Sequence, residues 1–131
     1  MKTVARVLLG LLALMLLGNG LAYMFVPEVQ LASTMIEPTG DGIFGMGNVR
    51  ANIGAPMVTF GILVAIAAIR MEIAPLKVVM LFLVLSIVAR IASLVVSGVD
   101  AGGFSIRIMV LLSVMLAITG FAYRTFQNSD A

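Results

Sequence analysis

The chain has 131 residues, of which 62% are hydrophobic and 11% charged, and its formal net charge is +2. A soluble domain carries about 25% charged residues, so this chain has too little polar surface to cover a globule in water. The small charge and the lack of a basic run argue against nucleic-acid binding. Cysteine and histidine do not occur in the sequence. This composition excludes disulfides and thiolate chemistry and removes the commonest metal ligand and general base, so we expect no metal and no cofactor.

Four stretches have the length and apolarity of membrane-spanning helices, because a bilayer core about 30 Å thick requires roughly 20 mostly apolar residues per helix. They cover residues of about 4–26, 51–69, 75–97 and 106–123. The first stretch resembles a signal peptide, but its apolar run continues through Val26, so we expect an uncleaved helix. The predicted fold class is therefore all-α, a polytopic membrane four-helix bundle that forms a single transmembrane domain.

The loops and their charges predict the orientation. The loop over residues 27–49 is long and contains three of the six acids, whereas the other two connections are short. One side of the predicted bundle carries five cations: Lys2, Arg6, Arg70, Lys77 and Arg124. The other side carries Arg50 and Arg107. Since short cytoplasmic loops are enriched in lysine and arginine, we expect both termini to lie in the cytoplasm.

Arg90 is the most informative polar residue, because it lies within the third predicted span. An arginine at such a position costs at least about 2.5 to 3.5 kcal/mol on insertion, so it requires a partner, water or a loop that dips inward. Ser86, Ser93 and Ser97 share one helical stripe with Arg90. We expect this stripe to face the interior of the bundle.

The other spans contribute polar residues to the same predicted end. Asn19 and Tyr23 lie four apart on the first span, and Arg50 and Asn52 begin the second. These positions predict an outward-facing pocket that binds a ligand or a head group. Its residues are Arg90, Arg50, Asn19, Asn52, Tyr23 and Ser93. In the alternative interpretation, Glu37, Asp41 or Asp100 neutralises Arg90, and the serines and asparagines only join helices.

Small residues mark the expected helix contacts, because they allow backbones to approach closely. These are Gly10, Gly18 and Ala22 on the first span and Ala51, Gly54, Ala55, Gly61 and Ala65 on the second. Pro56 lies inside the second span, where we expect it to kink the helix.

Three short motifs resemble those of a known bacterial group. They are Asn48-Val49-Arg50-Ala51-Asn52-Ile53-Gly54-Ala55 before Phe60-Gly61, Gly20-Leu21 ahead of Pro27, and Ala89-Arg90-Ile91-Ala92-Ser93-Leu94 ahead of Gly98. The sequence thus resembles the four-helix membrane family classed as domain of unknown function 4345. It departs from the family pattern at Ile53 and Ala55. The resemblance implies the fold, a bacterial inner-membrane location and a role for Arg50, Gly54 and Arg90, but no activity.

Three functional hypotheses follow. The chain lacks an evident catalytic apparatus, so the first is an accessory or scaffold subunit, or a lipid-binding bundle, of a larger membrane assembly. The second is a small intramembrane enzyme or binder of a lipophilic molecule, such as a quinone, isoprenoid or sterol-like compound, held by Arg90. The third is an oligomeric transporter. The expected partners are membrane lipids and a larger membrane protein complex, with no nucleic acid.

Overall fold

A computed structural model describes residues 1–34, 49–97 and 104–128, and these residues form helices without any strand. The helices are α1 Lys2–Phe25, α2 Pro27–Thr34, a π-helical turn Arg50–Gly54 that continues into α3 Ala55–Arg70, α4 Ile73–Ser97 and α5 Phe104–Gln127. Four of these helical segments are long and apolar enough to cross a membrane: Lys2–Phe25, Arg50–Arg70, Ile73–Val96 and Ile106–Gln127. The all-α prediction is confirmed for the described residues.

The predicted long loop begins with a helix, which corrects the expectation for residues 27–49. Pro27 occupies the first position of α2, where its fixed φ angle suits a helix and its missing N–H would have no intrahelical acceptor. Glu28 places a negative charge in the first turn, near the positive end of the helix dipole. The amide of Val26 donates to the carbonyl of Ala22 at 2.8 Å, which carries α1 to the start of α2.

The chain divides into two compact units. The first unit comprises Met1–Leu9 with Ile66–Ala131, and the second comprises Gly10–Ala65. The core of the first unit is formed by the first half of α4, the second half of α5 and short pieces of α1 and α3. Its buried residues are Ala5, Leu9, Ala67, Ala68, Leu76, Val79, Leu83, Met115, Thr119, Ala122 and Phe126.

The remaining halves of α4 and α5 are open. Among the described side chains, none after Leu83 on α4 and none before Met115 on α5 is buried. The first unit is therefore tightly packed at the end where α3 turns into α4, and it is open toward the connection between α4 and α5.

A hydrogen bond, an ion pair and a left-handed residue order the packed end of the first unit. The Nε of Arg6 donates to the carbonyl of Ala68 at 3.0 Å, which joins the start of α1 to the end of α3. Met71 has a φ of +57° and ends α3 in the left-handed conformation. Arg70 and Glu72 form an exposed ion pair of 3.7 Å across this turn.

Glycines bring two backbones together in the second unit. A Cβ atom added at Gly20 would lie 2.8 Å from the amide nitrogen of Val58, and one at Gly61 would lie 3.0 Å from that of Leu17. A Cβ at Gly54 would lie 3.2 Å from the carbonyl oxygen of Gly20. Only residues without a side chain allow so close an approach.

The predicted small-residue contacts are confirmed in part. Gly54 and Gly61 make the expected close contacts. The prediction for Gly10 and Gly18 is wrong within the described residues, since a Cβ added at either would meet none of their atoms within 4 Å. On α1 the close contact is made instead by Gly20, which was not among the predicted contact residues. The contacts predicted for the alanines stay predictions.

Candidate functional site

An open groove lies along the unpacked halves of α4 and α5. Its volume is about 420 Å³, and it is lined by Phe82, Ser86, Ala89, Arg90, Ile108 and Leu112. We call it the Arg90 groove. Its size falls within the range of small-molecule sites. Ser86 and Arg90 are one helical turn apart, so both polar groups lie on the same side of α4.

The charge of Arg90 has no counterion in the part of the chain that the structure describes. Arg90 is partly buried, and apart from Ser86 the other residues that line its groove are apolar. The ion pair found among the described residues joins Arg70 and Glu72 at the other end of α4. The three acids proposed to neutralise Arg90 lie outside the described residues: Glu37, Asp41 and Asp100. The ion-pair interpretation therefore stays a prediction.

Ser86 differs from other hydroxyl residues of the helices. The hydroxyls of Thr59, Ser113 and Thr119 each donate to a carbonyl four residues earlier in their own helix, at 2.8 to 2.9 Å. Within the described residues the Ser86 hydroxyl makes no such bond, although it lines the groove. The groove thus presents two kinds of donor, a guanidinium and a hydroxyl, neither of which has a hydrogen-bond partner within the described part of the chain.

The other predicted site residues are distributed over both units. The side-chain amide of Asn19 donates to the carbonyl of Met15 at 2.9 Å within α1. Tyr23 is partly buried, and Arg50 and Asn52 are exposed in the π-helical turn. These four residues belong to the second unit and Arg90 to the first, so their common pocket stays a prediction. Ser93 follows Arg90 on α4, and its side chain lies outside the described ones.

A second groove, of about 500 Å³, was not predicted. It is lined by Leu94, Ile106, Met109, Val110, Ser113, Val114 and Ala117. Its one hydroxyl, that of Ser113, already donates to the carbonyl of Met109 at 2.8 Å. Because the other residues that line this groove are apolar, it suits contact with an apolar surface. The sequence shows Met109, Ser113 and Ala117 at intervals of four, a spacing that could have indicated this face.

The described residues contain no group of three or more acids that could hold a metal ion. Glu28 and Glu72 are the acids among them, and they belong to different units.

Comparison with known proteins adds no further guide. No protein-family model matches the sequence, and neither the curated proteins nor the solved structures give a match. The resemblance to the domain of unknown function 4345 family stays a prediction, and the function has to be argued from the groove.

Proposed function

We propose that the chain is a four-pass protein of the bacterial inner membrane that binds a lipophilic molecule with an anionic head group. The observation that carries this proposal is Arg90, a cation that lines a largely apolar groove and has no counterion among the residues that the structure describes. A charge held in apolar surroundings is costly, and an anionic ligand would relieve that cost.

Orientation forms part of the proposal, with both termini in the cytoplasm. Within the first unit, the bond from Arg6 to Ala68 and the turn between α3 and α4 gather Lys2, Arg6, Arg70 and Lys77 at one end. Arg124 lies in the last turn of α5. This clustering supports the cytoplasmic assignment of that end, because cations are retained there.

An accessory-subunit role is the second candidate, and the apolar groove between Leu94 and Ala117 favours it. Only 12% of the most apolar window of α4 is buried inside the chain, which leaves a large face for a partner helix or for lipid. Transport lacks a comparable feature. In the packed half of the first unit, the one buried polar residue described is Thr119, so no polar path crosses it.

Lipid analysis of the purified chain tests the proposed binding. Full-length protein in mild detergent is extracted, and the bound lipophilic molecules are quantified by mass spectrometry. We expect an anionic species whose amount falls about tenfold or more in Arg90→Met, because a hydrogen bond to a charged group contributes about 1.5 to 3 kcal/mol.

Arg107→Met is the matched control. Arg107 is an exposed arginine on the first turn of α5 and does not line the Arg90 groove. This variant should retain the wild-type lipid content, and circular dichroism should show the same helicity for all three proteins. An identical lipid profile in wild type and Arg90→Met would contradict the proposed function.

A further inference from the structure

The depth of Arg90 restricts the ligand. With 25 residues, α4 is about 37 Å long at 1.5 Å per residue, close to a bilayer core of about 30 Å plus a little of each interface. Arg90 precedes the last residue of α4, Ser97, by seven residues, or about 10 Å. If α4 spans the bilayer as proposed, a head group that is held on the inner side of Arg90, beside Ser86, lies below the plane of the phospholipid phosphates.

The groove leads away from that interface. From Arg90 it reaches Phe82 on α4, eight residues or about 12 Å deeper, with Ile108 and Leu112 on its other wall. Beyond Phe82 and Leu112 the next core residues are Leu83 and Met115, which are 1% and 6% exposed. An apolar chain can therefore lie along Phe82 and Leu112, beyond which the side chains of Leu83 and Met115 are packed in the core of the unit.

The hydrogen-bond donors of Arg90 and Ser86 determine which head group the groove can bind. A guanidinium presents its N–H groups in a plane that matches the two oxygens of a carboxylate, and Ser86 adds a hydroxyl one turn away. The other groove residues are apolar, and the groove has no second cation among the residues that line it. A neutral head group would leave the guanidinium charge uncompensated in apolar surroundings.

We propose that the Arg90 groove binds a single-chain, long-chain carboxylate of the fatty-acid type. Arg90 and Ser86 hold the carboxylate, and the start of the chain lies along Phe82, Ile108 and Leu112. This inference rests on the proposed function and narrows it, since a two-chain phospholipid would have to lower its phosphate about 10 Å below the interface to reach the same donors.

A competition among three ligands tests the inference. The full-length chain is placed in nanodiscs of phosphatidylcholine, and binding of hexadecanoate, hexadecanol and phosphatidylglycerol is measured by native mass spectrometry. We expect hexadecanoate to bind at least about tenfold more tightly than either competitor, the factor that one hydrogen bond to a charged group supplies.

Three variants separate the contributions of charge, hydroxyl and space. Arg90→Met should bring hexadecanoate down to the level of hexadecanol, and Ser86→Ala should weaken it by about threefold to tenfold. Leu112→Trp keeps both donors but fills the groove, and we expect it to weaken hexadecanoate at unchanged helicity. Arg107→Met should bind as the wild type does.

The outcomes distinguish the two proposals. If phosphatidylglycerol binds more tightly than hexadecanoate and depends on Arg90, the fatty-acid inference is overturned while the proposed function stands. Equal binding of hexadecanol and hexadecanoate overturns the inference as well, since the charge is then not recognised. If no ligand depends on Arg90, both proposals fall.

Discussion

Three arginines of this chain make different interactions, although each carries the same charge. Arg6 donates to a backbone carbonyl, Arg70 pairs with Glu72 in an exposed turn, and Arg90 lines the groove. The position of Arg90 within a long apolar helix could be predicted, because apolar spans are readable from composition. The bond of Arg6 could not, since every residue has a carbonyl and only the fold determines which one the side chain reaches.

Arg6 is predicted to stabilise the end of α3. Ala68 is one of the last four residues of that helix, so its carbonyl has no intrahelical donor and takes the Nε of Arg6 at 3.0 Å instead. We expect Arg6→Met to lower the free energy of unfolding by about 1 kcal/mol, as a hydrogen bond with an exposed charged donor would. Reversible unfolding in mixed micelles measures it, with Lys2→Met as the control. Equal losses in the two variants would show that charge alone matters.

Met71 offers a stabilising substitution. Its φ of +57° is the left-handed conformation, which costs an L-residue about 1 kcal/mol or more and glycine very little. We expect Met71→Gly to raise the unfolding free energy by about 1 kcal/mol. Ala74→Gly, an exposed position in the first turn of α4, should lower it by up to about 1 kcal/mol. A loss of stability in Met71→Gly would contradict the left-handed conformation of Met71 in this turn.

At the scale of the element, the glycine contacts show which part of helix packing a sequence reveals. Gly54 and Gly61 are seven residues apart, two turns on one face, and both were predicted to make contacts. On α1 the predicted glycine contact was wrong, because the close approach occurs at Gly20 rather than at Gly18. Gly18 and Gly20 are only two residues apart, but at 3.6 residues per turn they are rotated by about 200° around the helix axis. They therefore lie on nearly opposite faces of α1. Residue type marks both as small, and only the tertiary contact shows which face is used.

Alanine substitutions should separate these two glycines. Gly20→Ala places a Cβ 2.8 Å from the amide nitrogen of Val58, where the backbone has to shift, and we expect a loss of about 1 to 3 kcal/mol. Gly18→Ala meets nothing within 4 Å, so its stability should be unchanged or higher by up to about 1 kcal/mol. The free energy of unfolding in mixed micelles provides the comparison. Similar values for both variants would rule out the close contact of α1.

The start of the second span departs from a regular helix in a way that the sequence predicts only in outline. Pro56 led us to expect a kink, and the structure has a π-helical turn over Arg50–Gly54 directly before it. The amide of Ala55 donates to the carbonyl of Arg50, five residues earlier, and Pro56 has no amide hydrogen to continue the ladder. Proline predicts the interruption, whereas the wider turn depends on how the freed carbonyls are accommodated.

Over the whole chain, polar residues of the spans were predicted to gather at one end of the bundle, and in the first unit Arg90 and Ser86 do lie in the open half of α4. Leu76, Leu83 and Phe126 are buried in its packed half, and Arg90 lines the open half. Hydropathy could predict the spans and the position of Arg90. It could not predict the groove, because a groove results from the packing of α4 against α5, and many apolar sequences would pack without one.

We predict that both termini of the chain lie in the cytoplasm. The sequence contains no cysteine, so single cysteines introduced at Thr3, Glu28 and Gln127, all exposed, can be labelled without a background. We expect a membrane-impermeant maleimide to label Glu28→Cys in spheroplasts, whereas Thr3→Cys and Gln127→Cys react only after permeabilisation, because the cation-rich end stays in the cytoplasm. The reverse pattern would contradict the assignment. The Arg90 groove would then face the cytoplasmic leaflet, and a fatty acid would reach it from that side.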